Sequence, residues 1–216
     1  MKKQLAKLAL TAALGLAITL LACEDKEKKQ TPAATQQPSQ EAAAQPPTTL
    51  TDSRDNKTYK IVKIGEQVWM AENLNYNANG SKCYDNEESN CTTYGRLYNF
   101  ETAKTACPSG WKLPTKAEWE VLVAAVGGKE TAGKNLKAKS GWNNNGNGTD
   151  KFGFSALPSG FFGSEGEGYF FGNVGDTGFW WNSSKGSVIM GYNEESTEYG
   201  NYLDDSYRYS IRCIQN

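Results

Sequence analysis

The chain of 216 residues has 23 basic residues, 24 acidic residues and no histidine. This near-neutral balance argues against a nucleic-acid partner, which would require a basic stripe. The lack of histidine excludes a Ser-His-Asp triad, a Cys-His pair and any imidazole metal site. We therefore expect neither an enzyme of the common hydrolase types nor a cofactor or metal centre.

The first 22 residues predict a signal peptide. Three lysines precede an apolar run at residues 8–22, which is shorter than the ~20 residues that cross a bilayer. The run ends in Leu-Leu-Ala-Cys, with Cys23 last, and resembles the lipobox of bacterial lipoproteins, in which the Cys thiol receives a diacylglycerol and becomes the new N-terminus. We expect lipid at Cys23 to hold the protein on a membrane of the cell envelope, and the outer membrane is the favoured location. Exposure at the cell surface stays an open alternative.

Residues 23–50 predict a lipidated Cys23 followed by a disordered linker, because this segment consists of a charged run and then Ala, Gln, Thr and Pro. All Trp, Tyr and Phe residues lie from Tyr59 onward. We therefore assign residues 51–216 to one folded domain.

Four cysteines remain if Cys23 is lipidated: Cys83, Cys91, Cys107 and Cys213. An even number in an oxidising envelope predicts disulfides, of which three pairings are possible. The short spacing favours Cys83–Cys91, which leaves Cys107–Cys213.

The predicted elements begin with strands at residues 59–64 and 67–70, which should form a hairpin. The polar stretch 75–93 is expected at the surface. Apolar residues at spacings of three and seven behind Asn99 then predict a helix over about 99–107.

A second helix is predicted to begin at Thr115, because Thr115 and Glu118 form a capping-box pattern and Trp119 opens an apolar face. A short helical stretch follows near residues 131–137. The remaining chain predicts strands at residues 152–157, 160–162, 169–171, 179–182, 187–192 and 207–214. Helices followed by short strands indicate an α+β fold with an antiparallel sheet.

Several segments closely resemble the Fibrobacter succinogenes major paralogous domain family, among them the stretch around Gly-Trp-Lys-Leu-Pro-Thr at 110–115. The resembling segments are 67–76, 94–120, 140–142, 153–158, 180–184 and 211–213. Residues 113–120 also resemble the formylglycine-generating enzyme family. That family acts through thiols near its C-terminus, where this chain has only Cys213, so we do not carry its activity over.

The helix ending at Cys107, together with the late Cys213, is similar to C-type lectin domains, in which these two cysteines are bonded. The resemblance implies a C-type-lectin-like fold with two helices, a small antiparallel sheet, long loops and adjacent termini. The calcium loop of sugar-binding lectins is missing, so no calcium-dependent sugar site is expected.

Aromatic residues are crowded among glycines at residues 161–181, and rings beside amides suit sugar recognition. The candidate ligand-binding residues are Tyr169, Trp180, Trp181 and Asn182. The favoured hypothesis is a surface binding or adhesion module for polysaccharide. The alternatives are that these rings fill the core, that the protein is a structural or protein-interaction lipoprotein, or that a carboxylate pair such as Glu118 and Glu120 supports a histidine-free enzyme.

Overall fold

The computed structural model describes residues 48–166, 168–201 and 204–216. The predicted signal peptide, Cys23 and nearly all of the linker lie outside the described residues. None of the helices within those three segments has the length and apolar character needed to cross a membrane. The first strand begins at Thr48, before the boundary predicted at residue 51.

The described chain is an α+β fold with four α-helices and twelve strands. The helices are α1 Glu88–Tyr94, α2 Phe100–Ala106, α3 Lys116–Ala125 and α4 Lys129–Leu136. The strands are β1 Thr48–Thr51, β2 Thr58–Ile64, β3 Gln67–Met70, β4 Ser81–Lys82, β5 Leu97–Tyr98, β6 Trp111–Lys112, β7 Ser159–Glu165, β8 Gly168–Val174, β9 Thr177–Trp181, β10 Ser187–Gly191, β11 Glu198–Gly200 and β12 Ile214–Gln215.

Two five-stranded sheets and the small β4–β5 pair organise these strands. The first sheet has the order β1-β2-β3-β12-β6 and is antiparallel throughout, with the C-terminal strand between β3 and β6. The second has the order β11-β10-β9-β7-β8. It is mixed rather than antiparallel as predicted, because β9 lies on the far side of β7 after the β7–β8 hairpin and so runs parallel to it.

The predicted β2–β3 hairpin is confirmed, with Ile64 opposite Gln67 and Gly65 at φ 59° in the turn. The two main predicted helices are also confirmed. Asn99 Oδ1 accepts from the backbone N–H of Thr102 at 2.9 Å to begin α2. The α3 capping box is complete, since the backbone N–H of Glu118 donates to Thr115 and that of Thr115 donates back to Glu118.

The fold contains more helix than the two helices that were expected. The short stretch predicted near residue 131 is the full helix α4, and α1 lies in the polar segment expected to be only surface. Helix α1 lacks an apolar stripe because its sequence is mainly polar, and its buried residue is Cys91, which is bonded to Cys83. A covalent crosslink therefore holds a helix that hydrophobic periodicity does not reveal.

Both predicted disulfides are present, Cys83–Cys91 and Cys107–Cys213.

Two of the predicted strands are not formed. Residues 152–157 make an isolated bridge at Ala156, and residues 207–213 make single bridges to three different neighbours before β12 begins. Residues 209–213 are buried, and Arg208, Tyr209 and Ser210 each bridge to a different part of the chain, so no continuous ladder forms.

The core is built around aromatic residues that no solvent reaches. Trp119 is fully buried, as its spacing predicts, with its ring centroid 4.8 Å from that of Trp69 and 5.9 Å from that of Phe154. A second cluster surrounds Trp181 and Tyr209, whose centroids are 4.4 Å apart.

A candidate binding cleft

The sequence placed a ligand surface at four residues, and the structure places three of them in the interior. Trp180 and Trp181 are fully buried and Asn182 is 2% exposed, whereas Tyr169 is 69% exposed. The prediction that Trp180, Trp181 and Asn182 face a ligand is wrong. Adjacent strand residues point to opposite faces of a sheet, and both faces of β9 are covered by core: Trp180 packs in the Trp119 cluster and Trp181 in the Tyr209 cluster.

Hydrogen bonds within the domain also occupy both indole N–H groups and the side-chain oxygen of Asn182. The indole N–H of Trp180 donates to Asn73 Oδ1 at 2.8 Å, and that of Trp181 donates to the Tyr98 carbonyl at 2.7 Å. Asn182 Oδ1 accepts from the backbone N–H groups of Ser184 and Gly186, which holds the turn before β10. These side chains therefore have structural partners in place of a ligand.

The structure instead contains a cleft of about 490 Å³ on another part of the domain. One wall comes from residues 57–60 at the start of β2, and a second from residues 71–73 and 75 after β3. Residues 91–95 at the end of α1 form a third, and Ser155 and Leu157 complete the lining. These four stretches are far apart in sequence, so no local motif marks the cleft.

Asn73 forms the floor of the cleft, and a hydrogen-bond network centred on Arg212 holds it from behind. Arg212 is completely buried, and its Nε and Nη2 donate to Asn73 Oδ1 at 3.1 and 2.9 Å. Its remaining N–H groups donate to the carbonyls of Met70, Phe154 and Ser155. No described carboxylate forms an ion pair with Arg212, and burial lowers its pKa to about 9. Asn73 and Arg212 belong to segments that carry the family resemblance, which is the signal that could have singled them out.

The α1 wall is attached to this floor. Asn73 Nδ2 donates to the Tyr94 carbonyl at 2.9 Å. Gly95 follows with φ 77°, and a Cβ there would lie 2.7 Å from the Cβ of Asn73, so any larger residue would push the wall away. The Cys83–Cys91 bond tethers the middle of the same helix.

Asn75 contributes a free acceptor to the second wall. Its backbone N–H donates to the Tyr59 hydroxyl at 3.1 Å, and its carbonyl accepts from Lys57 Nζ at 2.5 Å. Its Oδ1 is buried and has no hydrogen-bond partner among the described residues. A buried acceptor without a partner is unfavourable by about 1–3 kcal/mol, so the Asn75 amide would gain stability by turning Oδ1 toward a ligand hydroxyl or amide in the cleft.

The charges in and behind the walls are balanced. Lys57 is 3.5 Å from Asp55, the backbone N–H of Lys60 donates to Glu72 at 2.7 Å, and Ser155 donates to Asp150. The basic groups are Lys57, Lys60 and Arg212, and the acidic groups are Asp55, Glu72 and Asp150. This arrangement suits a neutral polar ligand better than a strongly charged one.

A cluster of possible metal ligands lies beside this wall, where donor atoms of Cys83, Glu88 and Cys91 fall within 4.8 Å of one another. Both sulfurs are consumed by the disulfide, and Glu88 forms an ion pair with Arg96 at 2.8 Å. A thiolate is required for metal binding, so the cluster does not fit a metal ion.

The sequence model of the Fibrobacter succinogenes major domain matches residues 62–215. The chain belongs to this family. The Fibrobacter succinogenes major domain thus includes the Asn73 floor of the cleft, Arg212 behind it and the α1 wall. Neither the curated proteins nor the solved structures contain a significant match to the chain.

Proposed function

We propose that the protein is a cell-envelope lipoprotein, anchored by lipid at Cys23, whose folded domain binds polysaccharide in the cleft. The cleft carries the proposal, because its lining combines the half-buried Tyr94 with the amide of Asn75, hydroxyls such as those of Thr93 and Ser155, and a balanced set of charges. A sugar presents apolar C–H faces and many hydroxyls, which suit an aromatic ring beside mixed donors and acceptors. The anchor is supported by the leader and by Cys23 at its end.

Paired tyrosine substitutions test this proposal. Insoluble and soluble polysaccharides would be incubated with the wild-type protein, with Tyr94→Ala and with Tyr169→Ala, the last being an exposed tyrosine that does not line the cleft. We expect the wild type and Tyr169→Ala to be retained and Tyr94→Ala to be lost, with thermal unfolding confirming that all three are folded. Retention of Tyr94→Ala together with loss of Tyr169→Ala would assign binding to the aromatic strand β8.

Failure of every polysaccharide to retain the wild-type protein would favour the alternative of a structural or protein-interaction lipoprotein. The exposed rings of Tyr169 and Phe170 support that alternative, since exposed aromatic side chains are common at protein interfaces. The alternative of a histidine-free enzyme has less support, because the Glu118 carboxylate accepts a hydrogen bond from Thr115 and pairs with Lys112 at 2.8 Å. Release of reducing ends from polysaccharide by the wild-type protein is the test of that third hypothesis.

We further propose that the fold is C-type-lectin-like in its arrangement. The Cys107–Cys213 bond joins the end of α2 to the segment before β12, and β12 lies in the same sheet as β1 and β2. The disulfide agrees with the helix-to-last-strand bond that the resemblance implies, and the first and last strands share one sheet with β2 and β3 between them. Superposition of an experimental structure on C-type lectin domains would test it.

A further inference from the structure

The four strands that end the two larger sheets differ in how well they are protected from pairing with another chain. β1 has four residues, β6 has two and includes Lys112, and β11 has three and includes Glu198, which pairs with Lys129 at 3.0 Å. β8 has seven residues, Gly168–Val174, with no charge and no proline. Proteins normally protect long sheet edges with short strands, charges or proline, and β8 has none of these.

The outer edge of β8, called the free edge below, pairs with no other strand of residues 48–166, 168–201 and 204–216, and both faces of β8 carry an aromatic ring next to it. Tyr169 stacks on Phe162 at 5.7 Å with 4° between the ring planes, and it is 69% exposed. Phe170 points to the other face, where it contacts Phe161 edge-on at 5.4 Å, and it is 37% exposed. A strand added to the edge would cover apolar surface on both faces of the sheet.

We propose that β8 pairs antiparallel with β8 of a second copy of this chain. A partner selected by charge would need charged residues on β8, and the strand has none, whereas a second copy brings the same uncharged strand. Twofold pairing also closes the assembly at a dimer, because the edge is used up in both copies. The sheet that contains β8 in one copy thereby becomes continuous with the same five-stranded sheet in the second copy.

The hydrogen bonds at the end of β8 set the register of this pairing. The Asn173 carbonyl already accepts from the backbone N–H of Asp176 at 3.1 Å, so the free edge ends before Asn173. Centring the remaining residues places the twofold axis at Phe170. Tyr169 then lies opposite the partner's Phe171, which gives an aromatic cross-strand pair on each side of the axis.

Sedimentation velocity over a range of concentrations tests the dimer, with residues 23–216 carrying Cys23→Ser so that no lipid is attached. We expect the wild-type protein to dimerise and Tyr169→Lys to dissociate with a Kd raised roughly tenfold or more, because charge on an edge strand opposes pairing. Val121→Lys is the matched control: Val121 is 54% exposed on α3, and its replacement should leave the Kd unchanged. A wild type that stays monomeric at every concentration would overturn the proposal, as would equal Kd values for Tyr169→Lys and the wild type.

Cysteine crosslinking in the same Cys23→Ser background tests the register. In antiparallel strands, opposite Cα atoms are about 4.5–5.5 Å apart, which is within disulfide range, so Phe170→Cys should form a covalent dimer on mild oxidation. The two copies of Tyr169→Cys would be about 8 Å apart across the axis and should not. The four native cysteines of the domain are already bonded and do not compete. Crosslinking through residue 169 and not through 170 would refute the register.

Discussion

The indole N–H of Trp119 gives a stability prediction that opposes the usual rule for core substitutions. Trp119 and Trp180 are both fully buried, in the same cluster, with ring centroids 6.4 Å apart. Trp180 donates its N–H to Asn73 at 2.8 Å, whereas Trp119 Nε1 has no acceptor among the described residues. Replacing each by Phe removes a similar volume from a similar place, so the difference between the variants isolates the hydrogen bond.

The magnitude follows from three effects. A loss of roughly 40 Å³ of side chain at about 24 cal/mol per Å³ costs about 1 kcal/mol in both variants. Trp119→Phe also removes a buried donor without a partner, which relieves about 1–3 kcal/mol, whereas Trp180→Phe loses a hydrogen bond of about 1 kcal/mol. We therefore expect Trp119→Phe to be between about 0 and 2 kcal/mol more stable than the wild type, and Trp180→Phe to lose about 2 kcal/mol.

Urea unfolding followed by circular dichroism, with both disulfides intact, would give the two free energies of unfolding. A Trp119→Phe protein that is destabilised as much as Trp180→Phe would refute the reasoning. It would mean that the Trp119 N–H has a partner, such as a buried water, that satisfies it.

Four further outcomes are expected. Thr115→Ala should lose about 1 kcal/mol of stability through the α3 cap, measured by thermal unfolding. Replacing Cys107 and Cys213 by Ser should destabilise the domain more than replacing Cys83 and Cys91, because the sequence separations are 106 and 8. Chain entropy gives losses of about 4.8 and about 2.5 kcal/mol for the two disulfides. Equal losses in urea unfolding would contradict this. Burial raises the pKa of Tyr59 to about 12, so the unfolded chain loses the hydroxyl proton at a lower pH than the folded domain does. Stability should therefore fall between about pH 10 and 12, and more steeply in the wild type than in Tyr59→Phe. Cys23→Ser should release the protein from membranes and abolish fatty-acid labelling, and undiminished labelling would disprove lipidation at this residue.

Local signals explain why much of the fold could be predicted. Gly65 marks the first hairpin, Asn99 and Thr115 mark helix starts, and the spacing of the cysteines indicated their pairing. Helix α1 was missed because a disulfide, rather than an apolar stripe, holds it in place.

The functional site was harder to predict, because it depends on packing between distant segments. Trp180 and Trp181 look like an exposed aromatic pair unless both faces of β9 are known to be covered. Asn73 and Arg212 are distant in sequence, and their contact exists only once the last strand is in place. The cleft is equally non-local, since residues 57–60, 91–95 and 155 meet only in the finished domain.

The position of β12 makes the end of the chain essential to the beginning. Ile214 pairs with Trp69 on one side and Lys112 on the other, so the first sheet stays divided until the last residues arrive. During synthesis from the N-terminus, the domain therefore cannot complete its core until Ile214 has left the ribosome. A stop codon that removes Ile214 and everything after it should therefore abolish folding of the whole domain. An affinity tag is best placed before Thr48, away from the β12 end of the domain, where the backbone N–H of Asn216 donates to the Gly110 carbonyl.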